Sequence, residues 1–109
     1  GAIVNIIDQR VWNLRSDFLS YTVSKSGLWT LTQTLALALA PQIRVNAVGP
    51  GPTLPNKLQS EAEFLTQAAS MPLGHGAGPE DIANAVTYLL EARAVTGQMI
   101  AADGGEHLG

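Results

Sequence analysis

The chain has no cysteine among its 109 residues, and its aromatic content is only 6%. Without thiols there is no disulfide framework and no thiolate metal site, which suits a reducing compartment and points to the cytoplasm. Charge is sparse as well, at 14% of residues, with six Lys and Arg against nine Asp and Glu for a net charge of −3. Such a balance gives no electrostatic basis for binding nucleic acid or an anionic membrane surface. No apolar run approaches the ~20 residues of a membrane span. What remains is 46% hydrophobic with eleven glycines, the profile of a folded domain rather than a disordered tail.

The run Ile3–Ile7 is rich in β-branched residues and bounded by Gly and Asp, as expected of a strand covered on both faces. It begins almost at the first residue, with no initiator Met, so the chain is expected to be a portion of a larger domain. Residues 8–17 are polar and read as irregular. A Pro-free helical pattern covers Phe18 to Ala40, with Leu28, Leu31, Leu35 and Leu39 at helical spacing and Pro41 as its stop. Ile43–Val48 is a second short strand, and the three prolines of Gly49–Pro55 predict loop. A modest amphipathic helix is expected over 60–70. Pro79-Glu80-Asp81 opens another helix to Ala92, with acids near the positive end of its dipole. Gln98–Ala102 is the last strand, followed by a turn at Asp103-Gly104-Gly105. Strands separated by helical crossovers predict an α/β fold with a parallel three-stranded sheet.

The pattern with most chemistry is Tyr21-Thr22-Val23-Ser24-Lys25. A Tyr and a Lys at i,i+4 share one helix face, one turn apart. A nearby ammonium favours tyrosinate, so Tyr21 is expected to exchange protons nearer neutral pH than a free phenol. On spacing alone, an interfacial Tyr beside a solvated Lys is the default explanation of the pair. Gly74-x-Gly76-x-Gly78 has the outline of a phosphate cradle, but Met71-Pro72 precedes it instead of a strand. His75 and His107 have no second ligand at metal spacing, so no metal site is expected. His107, in a C-terminal tail, is placed to lean into a neighbouring subunit's site.

The segments Ile3-Val4-Asn5-Ile6, Tyr21–Lys25, Arg44–Gly51, Pro79–Ala83, Thr96-Gly97 and Asp103-Gly104-Gly105 occur in the order seen in the short-chain dehydrogenase/reductase family. The chain resembles the C-terminal catalytic half of that family's single Rossmann-like domain, over residues 1–109, without the half that holds the cofactor phosphates. The resemblance implies a catalytic acid/base at Tyr21 and a lysine, Lys25, that holds the nicotinamide ribose hydroxyls and lowers the tyrosine pKa. It implies cofactor contacts from Pro50, Gly51, Pro52, Thr53 and Leu54. Where many members carry a phosphate-touching Thr this chain has Pro55, and Thr53 is the available substitute.

The family usually places a serine thirteen residues before the tyrosine; here that position is Asp8. A carboxylate repels a developing alkoxide but suits a ring that offers N–H and amino donors. In this respect the chain is similar to pteridine reductases and bacterial dihydromonapterin reductases, which also show a Thr-Gly ahead of Asp-Gly-Gly and a His-Leu near the C-terminus. The resemblance thus implies NADP(H), a pterin-like substrate bound by Asp8, Trp12 and Tyr21, and a homodimer or homotetramer formed through helix 18–40. Two alternatives stand beside it: a general carbonyl/alcohol oxidoreductase in which Asp8 is tolerated, or a non-catalytic half that only associates. Asp8 would then do no more than cap a turn, and Ala36, Ala38 and Ala40 would do no more than pack on the sheet.

Overall fold

The computed structural model describes residues 1–52 and 60–109. Three strands, β1 (Ala2–Ile6), β2 (Arg44–Pro50) and β3 (Met99–Ala102), form one parallel sheet in the order β1-β2-β3. β1 pairs with β2 from Ala2↔Arg44 to Ile6↔Val48, and β2 with β3 from Ala47↔Met99 to Pro50↔Ala102. The crossovers are α1 (Leu19–Leu39) between β1 and β2, then α2 (Glu61–Ala69) and α3 (Pro79–Glu91) between β2 and β3.

β2 is the spine. Residues Val45 to Gly49 are all buried, and because successive side chains point to opposite faces, both sides of the strand are covered. Ala47 packs with Ile7 and Met99 against Leu28 and Trp29 of α1, which assigns one face to α1. Arg44, of opposite parity, donates to the carbonyls of Leu89 (2.8 Å), Leu90 (2.9 Å) and Ala92 (2.7 Å). A cation on the last carbonyls of α3 satisfies orphan acceptors and complements the helix dipole, so α3 holds the other face.

Three sequence expectations need correction. Within the described residues β1 lies at one edge of the sheet with Ile3 and Ile6 exposed, so the cover expected on both its faces is not supplied by this portion of the chain. β2 runs on through Gly49 and Pro50, which were expected in the loop. Its pairing with β1 ends at Val48, and a proline at a strand end, where the N–H it lacks is not required by a central ladder, is tolerated. Residues 8–17 are not wholly irregular, because Gln9–Trp12 forms one turn of 3₁₀ helix, and a second such turn, Glu106–Leu108, closes the tail.

Gly49 shows why that first turn can sit where it does. A Cβ there would meet Met99 Sδ at 2.8 Å and the Gln9 backbone nitrogen at 3.3 Å. A residue without a side chain lets the Gln9–Trp12 turn settle on β2 without displacing Met99 or the Gln9 backbone.

α1 has no prolines and ends at Ala40-Pro41. Thr22, Thr32 and Ala36 are its buried positions, whereas Leu19, Val23, Leu31 and Leu37 are exposed. Of the three alanines singled out by sequence, Ala36 packs inward near Gly97, and Ala38 and Ala40 are exposed.

Candidate active site

The C-terminal end of β1 leads directly into the site. Asp8 follows the strand and caps the Gln9–Trp12 turn, its Oδ1 accepting from the Arg10 backbone N–H at 2.8 Å. The other carboxylate oxygen is left for the first turn of α1, where the Tyr21 hydroxyl donates to Oδ2 at 2.8 Å. Asp8 thus caps a turn and also meets the tyrosine.

One turn further along α1, Lys25 Nζ donates to the Ile6 carbonyl at 3.2 Å and lies 5.7 Å from the Tyr21 ring centroid. An ammonium carries three donors, and this is the one bond it makes among the described residues.

The expected fall in the Tyr21 pKa is not found. Partial burial first, then the hydrogen bond and negative charge of Asp8, push it up from 10.0 to about 12. The charge that opposes the rise is that of Arg10, not that of Lys25, whose ammonium bonds the Ile6 carbonyl. Tyr21 is therefore a neutral hydrogen-bond donor across the physiological range.

A cavity of about 380 Å³ opens beside this pair, lined by Asp8, Arg10, Phe18 and Tyr21. Phe18 caps α1 in the left-handed region (φ 52°), uncommon for a bulky residue, and carries the Arg10 guanidinium 5.5 Å above its ring. Arg10 is tied in turn to the Asp17 carboxylate, which lies below its ordinary pKa chiefly because of that hydrogen bond. Neither Arg10 nor Phe18 was singled out by sequence; the position of Phe18 just ahead of the Tyr-x-x-x-Lys turn was the available signal. Trp12 stands apart from this cavity, packing edge-on against Trp29 with centroids 5.9 Å apart and against His107 at 5.8 Å.

Of the expected cofactor contacts, Pro50 closes β2 and Gly51 and Pro52 follow it, whereas Thr53, Leu54 and Pro55 lie outside the described residues. A Cβ on Gly51 would lie 2.7 Å from Glu106 Oε2 and 3.0 Å from Asp103 Cβ, so the chain after β2 rests directly on the tail. Glu106 Oε2 is buried with no hydrogen-bond partner among the described residues. Burial, then the charges of Asp103 and Asp8, raise the pKa of that carboxyl.

His107 pairs within its own chain with Asp103, Nδ1 lying 2.8 Å from Oδ2. In the glycine-rich loop, the Gly78 N–H is already taken by Asp81 Oδ2 at 2.8 Å, which removes a donor from the supposed phosphate cradle. Among the described residues no cluster of His, Asp or Glu could hold a metal ion, and no helix is long and apolar enough to cross a membrane.

A family model described as enoyl-(acyl carrier protein) reductase matches residues 1–107. The short-chain dehydrogenase/reductase homolog YusR of Bacillus subtilis is 37% identical over 109 residues, covering 99% of this chain and 84% of YusR. The chain belongs to the short-chain dehydrogenase/reductase family. Within this family, the dihydromonapterin reductase of Citrobacter koseri is 36% identical over 107 residues, which are 97% of this chain and 44% of that enzyme. The crystal structure of FolM alternative dihydrofolate reductase 1 from Brucella canis, complexed with NADP, superposes with a TM-score of 0.97. It is 53% identical and covers all of this chain and 44% of its own. The chain thus spans less than half the length of these two reductases, and its three parallel strands with their helices are the C-terminal half of a Rossmann-like short-chain reductase sheet.

The donors in the site fit a nicotinamide nucleotide. The Tyr21 hydroxyl and the partly committed Lys25 ammonium lie side by side at the carboxyl end of β1, where open α/β sheets bind their ligands. The remaining donors of the ammonium and the lone pairs of the phenol oxygen, whose one O–H goes to Asp8, suit the vicinal hydroxyls of a ribose.

Proposed function

We propose that this chain is the catalytic portion of an NADPH-dependent reductase acting on a dihydropterin-like ring. The observation that carries the reading is the Tyr21 hydroxyl donating to Asp8 at 2.8 Å, where the family usually has a serine. The named reductase relatives and the NADP held by the FolM structure support it.

The reaction adds a hydride to a ring carbon of a C=N bond and a proton to its nitrogen, leaving the nicotinamide oxidised. When bound, the cofactor supplies that hydride. This chain supplies the proton and the orientation. Tyr21, raised to about 12, keeps its proton at neutral pH and holds it against Asp8. Asp8 accepts from ring N–H and amino groups, pairing that a carbonyl substrate does not offer. Lys25 holds ribose hydroxyls with the donors that Ile6 leaves free, and Pro50, Gly51, Pro52, Thr53 and Leu54 complete the cofactor side. Trp12 belongs to the substrate side through the turn that Asp8 caps. The exposed apolar side chains of α1, Val23 and Leu37 among them, support a homodimer or homotetramer through this helix. The lack of cysteine supports a cytoplasmic setting.

The test is NADPH oxidation by the protein as encoded, with dihydropterins and with simple ketones. Turnover confined to dihydropterins, abolished by Asp8→Ser, is expected. Good ketone turnover with none on dihydropterins would make this a general carbonyl reductase and overturn the pterin reading.

A further inference from the structure

The tail reaches the active site without touching the cavity. Asp103 is only 1% exposed and accepts three hydrogen bonds: from the Gly105 N–H to Oδ1 at 3.0 Å, from the His107 N–H to Oδ2 at 2.8 Å, and from the His107 ring. A carboxylate only accepts, so Nδ1 of His107 carries the proton and the imidazole plane is fixed. That ring lies 5.8 Å from Trp12, inclined by 60°, while Trp29 of α1 meets the indole at 84°. Next to Trp12, Asn13 Nδ2 donates to the Glu106 carbonyl at 3.1 Å. The tail therefore grips the C-terminal end of the Gln9–Trp12 turn at two adjacent residues.

The other end of the same turn is Asp8. A single 3₁₀ turn does little to hold itself, and its ends are tied by short-range backbone bonds, Val11 N–H to Asp8 O at 3.2 Å and Asn13 N–H to Arg10 O at 3.0 Å. Gly49 leaves room for the turn on β2 but supplies no side chain to grip it. Whatever fixes Trp12 and Asn13 fixes the direction of the Asp8 carboxylate.

We infer that His107, locked by Asp103, is a positioning residue that aims Asp8 at Tyr21 and the substrate through the Gln9–Trp12 turn. This rests on the reading of Asp8 as the substrate-facing carboxylate. An aromatic contact of this kind is worth about a three- to tenfold effect.

The experiment compares His107→Ala, Asp8→Asn and the double variant in the protein as encoded. The expected result for H107A is a three- to tenfold loss (roughly) in kcat/KM for the dihydropterin with the NADPH KM unchanged. In the D8N background H107A adds no further loss, because the group it positions is gone. Amide exchange at Val11 and Asn13 rises by a similar factor while Ala47 on β2 keeps its protection. Should H107A lose Ala47 protection as well, His107→Asn takes its place, keeping a nitrogen donor for Asp103 but removing the ring from Trp12, with the same readouts. Unchanged exchange at Val11 and Asn13, or a loss in the D8N background as large as in the wild type, overturns the inference. A protein that turns over no dihydropterin overturns the proposed function instead, and the exchange measurement still decides the positioning role.

Discussion

Tyr21 and Asp8 share one proton-bearing hydrogen bond, 2.8 Å long, between residues that stand thirteen apart in sequence on the two sides of the strand-to-helix connection. The pair makes the tyrosine a poor acid and a good donor. Proton delivery from Tyr21 is governed by what Asp8 does, more than by the lysine one helical turn away.

Asp8→Asn removes the charge and weakens the hydrogen bond but leaves burial in place. The Tyr21 pKa is expected to fall from about 12 toward, but not to, its ordinary 10.0. Phenolate absorbance of D8N, read as a difference from D8N/Y21F, measures it. A raised folded-state pKa contributes stability below pH 10 that is lost as pH climbs through the folded value, so D8N narrows that alkaline window. No downward movement would show that Asp8 does not control the phenol.

Lys25→Met should weaken NADPH binding by about tenfold, the order expected for losing charge-assisted bonds to ribose hydroxyls. Calorimetric titration checks it. The Ile6 carbonyl loses its partner at a strand end where water reaches it, so little change in melting temperature is expected.

Glu106→Gln should stabilise the protein at neutral pH. The carboxyl has a buried oxygen with no partner among the described residues and a raised pKa, so its contribution is present below its unfolded value of 4.5 and is lost as pH rises through the folded one. Melting temperatures of E106Q and wild type should differ by a few degrees at pH ~7 and converge under acid conditions. A higher melting temperature for the wild type at neutral pH contradicts this account.

Arg44→Met keeps the length of the side chain but strips the last carbonyls of α3 of three donors. The expected cost is about 2 kcal/mol, read as a lower denaturant midpoint with an unchanged slope. Because Arg44 stands at the N-terminal end of β2, away from Tyr21, the NADPH affinity of the folded fraction should hold.

Much of this was legible in the sequence. The alternation of β-branched runs with Pro-free helical patterns gave the parallel sheet, since strand and helix periods differ enough to separate Ile3–Ile7 from the leucine spacing of α1. The i,i+4 spacing brought Tyr21 and Lys25 to one face, and the family resemblance, which sets a side chain thirteen residues before the tyrosine, pointed to Asp8 beside them. What stayed hidden depended on contacts without a period. A single 3₁₀ turn such as Gln9–Trp12 leaves no repeat to read. The sign of the Tyr21 shift was missed because spacing reports that Lys25 is near, not that its ammonium turns to the Ile6 carbonyl. The tail's grip on Trp12 joins residues more than ninety positions apart, and nothing local to either end announces it.

The close approach at Gly49 carries an evolutionary consequence. A methyl group there meets the Met99 sulfur, the end of a flexible side chain that can swing aside, and presses on the Gln9 backbone nitrogen at 3.3 Å, which has to give by a few tenths of an ångström. A lineage that enlarges position 49 therefore has to rearrange Met99 and shift slightly the turn that begins beside Asp8, so the two positions are expected to be coupled.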